Sequence, residues 1–334
     1  MPHSRLSNSG VPTGAILQHN DIRTDHNEIR ADRNEIRADR NEIRANHRSS
    51  TLKIWHQSFT DLDSFPQYRQ TLQEHGRRVM GDEADVVVHG LQPGTYPPGV
   101  APMDFNTRAG LQLLNTRQVC EAALAAQANG YDAFALGCFF DPGLTEARSL
   151  VDIPVVSLTE TCMLTACSLG RKFAVIALTD FQKMLSEDLA LKYGLTQRLA
   201  GVVAMSPAVR LFDLEQGDAV AESIKQRFVT ACHAALDLGA EVIIPGDGVL
   251  NAFLVRHRMM SVDGATIMDP LGVLFQHAAF FVRSKRAGCL DVSRRLMYIQ
   301  PTGVMADYAR QNRGLGQAQE EDFSGADTNE VRPR

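Results

Sequence analysis

The sequence predicts an α/β fold built from two α/β domains with parallel sheets, related by a pseudo-two-fold axis and facing each other across a cleft that holds the active site. Three observations predict it. Short apolar segments alternate with longer amphipathic ones, the pattern of parallel strands covered on both faces by helices. GYDAFALGC (Gly130–Cys138) aligns without gaps on GAEVIIPGD (Gly239–Asp247): a glycine ending a helix, an acidic residue, an apolar strand, then Gly and a reactive side chain. KIWHQSFTD (Lys53–Asp61) parallels KFAVIALTD (Lys172–Asp180), with Lys, Thr and Asp at the same offsets. Two matches in the same order indicate a duplication, and the carboxyl ends of strands are where open α/β sheets bind ligands.

Composition narrows the class. With 334 residues, 44% hydrophobic and 22% charged, the chain is long enough for two ordinary domains. Lys and Arg number 34 against 39 Asp and Glu, a net charge of −5. No basic surface is announced, and no nucleic-acid partner is expected. No run reaches the roughly 18 apolar residues that span a bilayer, and the first 50 residues lack an apolar signal core, so the expectation is a cytoplasmic protein without a membrane partner. The six cysteines form no CxxC pair and have no histidine at zinc-finger spacing. No metal site is expected, and free thiols are.

Along the chain, residues 22–48 carry a seven-residue repeat: IRTDHNE, IRADRNE twice, then IRANHR. Each unit offers one large apolar side chain where a coiled-coil seam needs two, and like charges meet at i,i+4 (Arg33 with Arg37, Glu35 with Asp39). Residues 1–50 are therefore read as a polar leader, either a marginal helix or disordered. A strand follows at Leu52–Ser58, a helix over about Ser64–Met80 and a strand at Asp85–His89. Next come a loop with Pro93, Pro97, Pro98 and Pro102, a helix to about Asn129 and a strand at Asp132–Leu136. Later strands fall at Val155–Val156, Phe173–Leu178, Gly201–Ala204, Glu241–Ile244 and Thr266–Met268, with helical patterns between. Residues 51–165 form the first α/β domain, with a C-terminal helix at 270–300 packing back on it. Residues 166–269 form the second, and 312–334 a polar, Gly-rich tail.

Cys138 is the first candidate catalytic residue. It follows a buried strand, and Asp141-Pro142 reads as an N-cap with proline at the first helical position. A thiol beside a helix N-terminus has its pKa lowered by the dipole and the oriented N–H groups. A buried structural cysteine is the alternative, and it is the reading given to Cys120, Cys162, Cys167, Cys232 and Cys289. Asp247, the duplicate of Cys138, is the second candidate; Gly246 and Gly248 beside it let the backbone turn sharply and approach a ligand. A turn or N-cap aspartate is its alternative role. One acid/base group from each half suits removal of a proton next to a carbonyl or carboxylate and redelivery from the opposite face. Positioned donors must then hold the enolate, and the hydroxyls of Thr60 and Thr179 are candidates, with helix capping as the alternative. Ser157, Thr159 and Glu160 follow another strand end. His56, Gln57 and His89 end the early strands, and Phe139, Phe140 and the loop at Tyr96 offer an apolar wall.

GCFFDPGLTEARSLVDIPVVSLTE (Gly137–Glu160) resembles the first catalytic-cysteine segment of the aspartate/glutamate racemase superfamily, its hydantoin racemase branch in particular. The signature is Cys-Phe-x-Asp-Pro-Gly followed by an Ile-Pro-Val-Val strand, and in pattern the resemblance runs from about Leu52 to Val282. It implies a pseudo-symmetric pair of α/β domains, chemistry without a cofactor, Cys138 as the first catalytic cysteine, a small-molecule substrate and a homo-oligomer. Two departures matter. Gly246-Asp247 stands where the family carries a Gly-Cys motif, and Trp55-His56-Gln57-Ser58 stands where the branch opens with Asn-Pro-Asn-Thr. Free thiols titrate near about 8.5 and Asp near about 3.9, so a Cys/Asp pair is less matched for two-way proton exchange than two cysteines.

The expected function is thus a cofactor-independent racemase or isomerase acting next to a carbonyl or carboxylate on a hydantoin- or amino-acid-like substrate. Cys138 would serve as thiolate base or nucleophile and Asp247 as the opposing acid/base. Alternatives are a single-cysteine lyase (a decarboxylase), a cysteine-dependent C–N hydrolase, and a non-enzymatic small-molecule binding protein. No G-x-G-x-x-G follows a strand and no P-loop motif is present, which disfavours nucleotide-dependent chemistry.

Overall fold

The computed structural model describes residues 51–306; the heptad leader and the tail at 312–334 lie outside the described residues. The first half runs β1 (Leu52–Gln57), a 3-10 turn (Leu62–Ser64), α1 (Pro66–Met80), β2 (Ala84–His89), α2 (Pro102–Asn106), α3 (Ala109–Ala128), β3 (Ala133–Leu136), α4 (Leu144–Leu150), β4 (Val155–Ser157) and α5 (Leu158–Leu169). The second runs β5 (Phe173–Ala177), α6 (Asp180–Lys192), β6 (Leu199–Ala204), a 3-10 turn (Leu211–Glu215), α7 (Asp218–Asp237), β7 (Val242–Pro245), α8 (Gly248–Arg256), β8 (Ser261–Val262) and β9 (Ala265–Ile267). The chain then enters α9 (Pro270–Arg286). Every strand expected from the alternation is present, with ends within two residues of the predicted ones.

The first sheet has the order β2-β1-β3-β4 and the second β6-β5-β7-β9-β8. All pairings are parallel except β8 with β9. The duplicated segments occupy equivalent places and make equivalent bonds. Asp132 N donates to Lys53 O at 2.8 Å, and Glu241 N to Lys172 O at 2.9 Å. Gly137 N donates to Gln57 O and Gly246 N to Ile176 O, both at 2.8 Å.

Side-chain alternation sorts the first sheet between two cores. Ile54, Ala133 and Ala135 join the large cluster that runs on into the second half, whereas Trp55, Phe134 and Leu136 pack on the other face against Ala122, Ala123 and Ala126 of α3. Small residues on α3 let that helix lie close to the sheet. In the second half β5 is buried at every position, as expected of a central parallel strand.

Helix α9 starts with Asp269 as N-cap, accepting from Gly272 N at 3.2 Å, and Pro270 at the first position. It packs on α1, α5 and β3, which returns the chain to the first half. Its length differs from the sequence expectation of 270–300. The helix ends at Arg286 because Gly288 takes a left-handed conformation, φ 72°. The following segment is irregular and is pinned by Arg294, which donates to the carbonyls of Arg148 (2.7 Å) and Val151 (2.5 Å) and to Asp152 Oδ1 (3.0 Å). Among the described residues no helix is long and apolar enough to cross a membrane, and no His/Cys/Asp/Glu cluster is arranged to hold a metal.

Candidate active site

The two central strands β3 and β7 end in Gly137-Cys138 and Gly246-Asp247, and both reactive side chains line one cavity. The first half supplies Ser58, Thr60, Tyr68, Phe139 and Phe140; the second adds Phe181 and Leu185 from α6, Leu211, Gly248 and Val249. Met103 and Asn106 of α2 close one side. The cavity holds about 530 Å³ of atom-free space, part of it open to solvent. It is narrow and mostly apolar, with a few convergent polar groups, the usual character of a small-molecule site.

A side chain at Gly137 would displace the buried His56 ring, because a Cβ there would come within 1.9 Å of His56 Cε1. The glycine lets β3 run directly over the His56 ring and deliver Cys138 to the cavity. The turn that follows differs from its sequence reading. Asp141 does not cap a helix starting at Pro142; that helix, α4, begins at Leu144 after Gly143. Asp141 instead adopts φ 50° and turns its carboxylate to the start of α5, accepting from Thr159 N and Glu160 N, each at 3.1 Å, and from Tyr193 Oη at 2.5 Å. The thiol therefore sits ahead of a seven-residue helix rather than at its N-terminus. Burial pushes the Cys138 thiol well above the ordinary thiol range, Asp141 and Asp247 add repulsion, and the Phe140 N–H offsets this only in part. The expected lowering is thus corrected to a rise, and the resting group is a neutral thiol.

Asp247 caps α8, with Oδ1 accepting from Val249 N at 2.7 Å and Leu250 N at 3.1 Å, while Oδ2 accepts from Gln182 Nε2 at 3.2 Å. Burial lifts its pKa to about 6 against those three donors. The residue is at once a cap and an ionisable group in the cavity; the two sequence readings are compatible.

Thr60, Phe139, Phe140 and Gly248 also reach the cavity, and Thr60 Oγ1 shares a 2.9 Å hydrogen bond with Ser58 Oγ. Five other candidates do not line it. His56 is fully buried beneath Gly137, edge-on to Phe275 at 5.5 Å, and burial with His89 nearby drops its pKa to about 3, so it is a neutral core residue. Gln57 is spent on backbone, donating to Ser58 O at 3.0 Å and Gly90 O at 2.9 Å while accepting from Trp55 Nε1. Thr179 caps α6 through Gln182 N at 3.2 Å. Gly246 lies behind the wall, held on Ile176 O. Glu160 is paired with Arg148, Oε1 accepting at 3.0 Å. Among the remaining sequence candidates, His89 stacks on Trp55 with centroids 3.4 Å apart. Tyr96 anchors the proline-rich loop by donating to Phe59 O at 2.8 Å.

Tyr68 and Gln182 were not anticipated from the sequence, because a polar tip at a buried helical position has the same periodicity as a core residue. Gln182 positions Asp247, and its Oε1 also accepts from Leu178 N at 2.8 Å.

Two α/β lobes whose equivalent strand-end turns each bring an ionisable side chain to one cavity define the class of fold. The Asp/Glu/hydantoin racemase family matches residues 67–278, and the chain belongs to that family. Hydantoin racemase from Pseudomonas sp. (strain NS671) is 33% identical over 91 residues, 27% of this chain and 36% of that protein. Hydantoin racemase from Paenarthrobacter aurescens is 29% identical over 152 residues, 45% of this chain and 61% of that protein. The chain therefore spans between 36% and 61% of the length of these curated relatives. In fold it is similar to allantoin racemase from Klebsiella pneumoniae, with a TM-score of 0.60 and 22% identity over 76% of this chain and 95% of that one.

Proposed function

We propose that the protein is a racemase or isomerase that moves a proton at a carbon next to a carbonyl, on a hydantoin- or amino-acid-like substrate, using Asp247 and Cys138. The observation that carries this reading is that the equivalent turns of the two halves bring one carboxylate and one thiol to the same cavity. With its pKa at about 6, Asp247 is a carboxylate at neutral pH and serves as base. Cys138, held protonated by burial, serves as acid.

In the forward step Asp247 takes the proton and the C–H electron pair passes into an enolate. The thiol then gives its proton to the opposite face, leaving a thiolate and a protonated Asp247. The resting enzyme returns when the proton passes from the acid to the thiolate, directly or through solvent. Thiolate and carboxylic acid are the less stable pair of states, so this reset runs downhill. The chemistry as written uses only side chains of this chain.

The test is proton NMR in D₂O with a panel of hydantoins, amino acids and substituted malonates. Loss of the α-proton signal with racemisation and no cleavage is the expected result. Release of CO₂ would move the assignment to a lyase in which the protonated Cys138 acts alone, and ring opening to a hydrolase.

A further inference from the structure

Tyr68 stands in the first turn of α1, and the start of that helix is bolted to the second half. Glu215 accepts from Gln67 N at 2.8 Å through one carboxylate oxygen and from Tyr68 N at 3.0 Å through the other. The ring is buried, yet the side chain lines the cavity. A Cβ built on Gly248 would lie 2.9 Å from the Tyr68 hydroxyl oxygen and 3.2 Å from the Gly137 carbonyl oxygen. The phenol tip thus lies against Gly248, the residue that follows Asp247, on the side that also faces the Gly137 carbonyl, and a side chain at Gly248 would crowd it. Ser58 lines the same cavity and shares the 2.9 Å bond with Thr60. Tyr68, Ser58 and Thr60 each bring a hydroxyl-bearing side chain to a mostly apolar cavity. A phenylalanine would fill the ring's place without desolvating a hydroxyl, so packing alone does not explain the phenol. Burial also drives the phenol's pKa far above its ordinary value, so the group stays a donor at every working pH.

We infer that Tyr68 touches the substrate and donates a hydrogen bond to the oxygen on which enolate charge develops, completing a hydroxyl-lined oxyanion site with Ser58 and Thr60. The inference rests on the enolate-forming reading above. Its geometry fits the requirement of such sites: a fixed, neutral donor beside Gly248 in the mostly apolar cavity that both proton-transfer groups line.

The test compares the wild-type full chain with Tyr68→Phe in two measurements, after melting curves establish that the ring still fills its core position. In α-proton exchange in D₂O, kcat is expected to fall on the order of 10²-fold with KM nearly unchanged. In calorimetric titration with pyrrole-2-carboxylate, a flat ring carrying a carboxylate like a planar enolate, the variant is expected to bind about tenfold more weakly or worse. Unchanged kcat in Tyr68→Phe overturns the inference. So do equal affinities, or no binding of pyrrole-2-carboxylate by the wild type. Tighter binding by the wild type without any exchange would leave the Tyr68 contact standing and overturn the enolate reading instead. If Tyr68→Phe unfolds, Ser58→Ala takes its place with the same readouts and the same criteria.

Discussion

The turn after β3 and the turn after β7 leave their sheets through the same 2.8 Å backbone bond and then diverge. In the second half Asp247 passes at once into α8 and caps it, so the reactive carboxylate is also the helix's first hydrogen-bond acceptor. In the first half the chain makes a longer turn. Cys138 caps nothing, and the capping task passes to Asp141, which serves α5, a helix beginning 17 residues later in sequence. The contrast teaches how one duplicated scaffold can carry two unlike groups. A carboxylate in a buried cavity needs the α8 N–H groups to remain ionisable near neutrality. A thiol kept protonated has no such need, and a position away from a helix start suits it.

The sharpest way to break this comparison is to remove each group. Cys138→Ala should lower the racemisation rate by about 10³-fold or more while circular dichroism shows the fold retained, since the removed sulfur is small. Asp247→Asn should cost about 10²-fold to 10³-fold in kcat/KM and abolish the acid limb expected of the wild type near pH 6, where Asp247 takes up its proton. A wild-type profile flat from pH 5 to 8 (about the window in question) would contradict the carboxylate's role as base.

The same substitution should act oppositely on stability. The carboxyl's folded pKa, about 6, is raised above its ordinary value of 3.8. Its contribution to stability is therefore fully present below 3.8 and lost as pH rises through about 6, because the ionised form disfavours the buried site. Asp247→Asn removes that penalty and keeps an acceptor for the α8 cap. Urea unfolding should find the variant more stable at pH 8 by up to about 3 kcal/mol, with the gap closing toward pH 4. A variant less stable than wild type at pH 8 would show the charge-assisted cap to outweigh desolvation. The smallest expected effect lies on the Cys138 side. Tyr193→Phe removes a donor from the Asp141 carboxylate and should cost about 1–2 kcal/mol, read from the urea midpoint, with catalysis largely kept.

The duplication was legible because a strand followed by glycine and a functional residue leaves a fixed pattern of offsets, and Cys138 and Asp247 both stand at those offsets. Thr60, Phe139, Phe140 and Gly248 followed from their nearness to the strand ends. His56, Gln57 and Thr179 failed for a common reason: position at a strand end does not reveal which way a side chain points or whether it is already committed to a cap or a carbonyl. Glu160 was hidden by its pairing with Arg148, a contact between helices. Asp141 was misassigned because its capped helix is remote in sequence, although the nearer Pro142 offered a plausible local start. Tyr68 left no local sign, because a hydroxyl facing a cavity and a ring facing the core share one helical position.

The most direct test of the two-group account follows separate enantiomers of one accepted substrate in D₂O with Cys138→Ala and Asp247→Asn. With Cys138 gone, Asp247 can still remove and return a proton on its own face. The account predicts that Cys138→Ala exchanges the α-proton of one enantiomer with retention of configuration, leaves the other untouched and racemises neither. Asp247→Asn should suppress exchange of that first enantiomer. Exchange of both enantiomers by Cys138→Ala, or racemisation at the wild-type rate in either variant, would contradict the assignment of one proton-transfer group to each half.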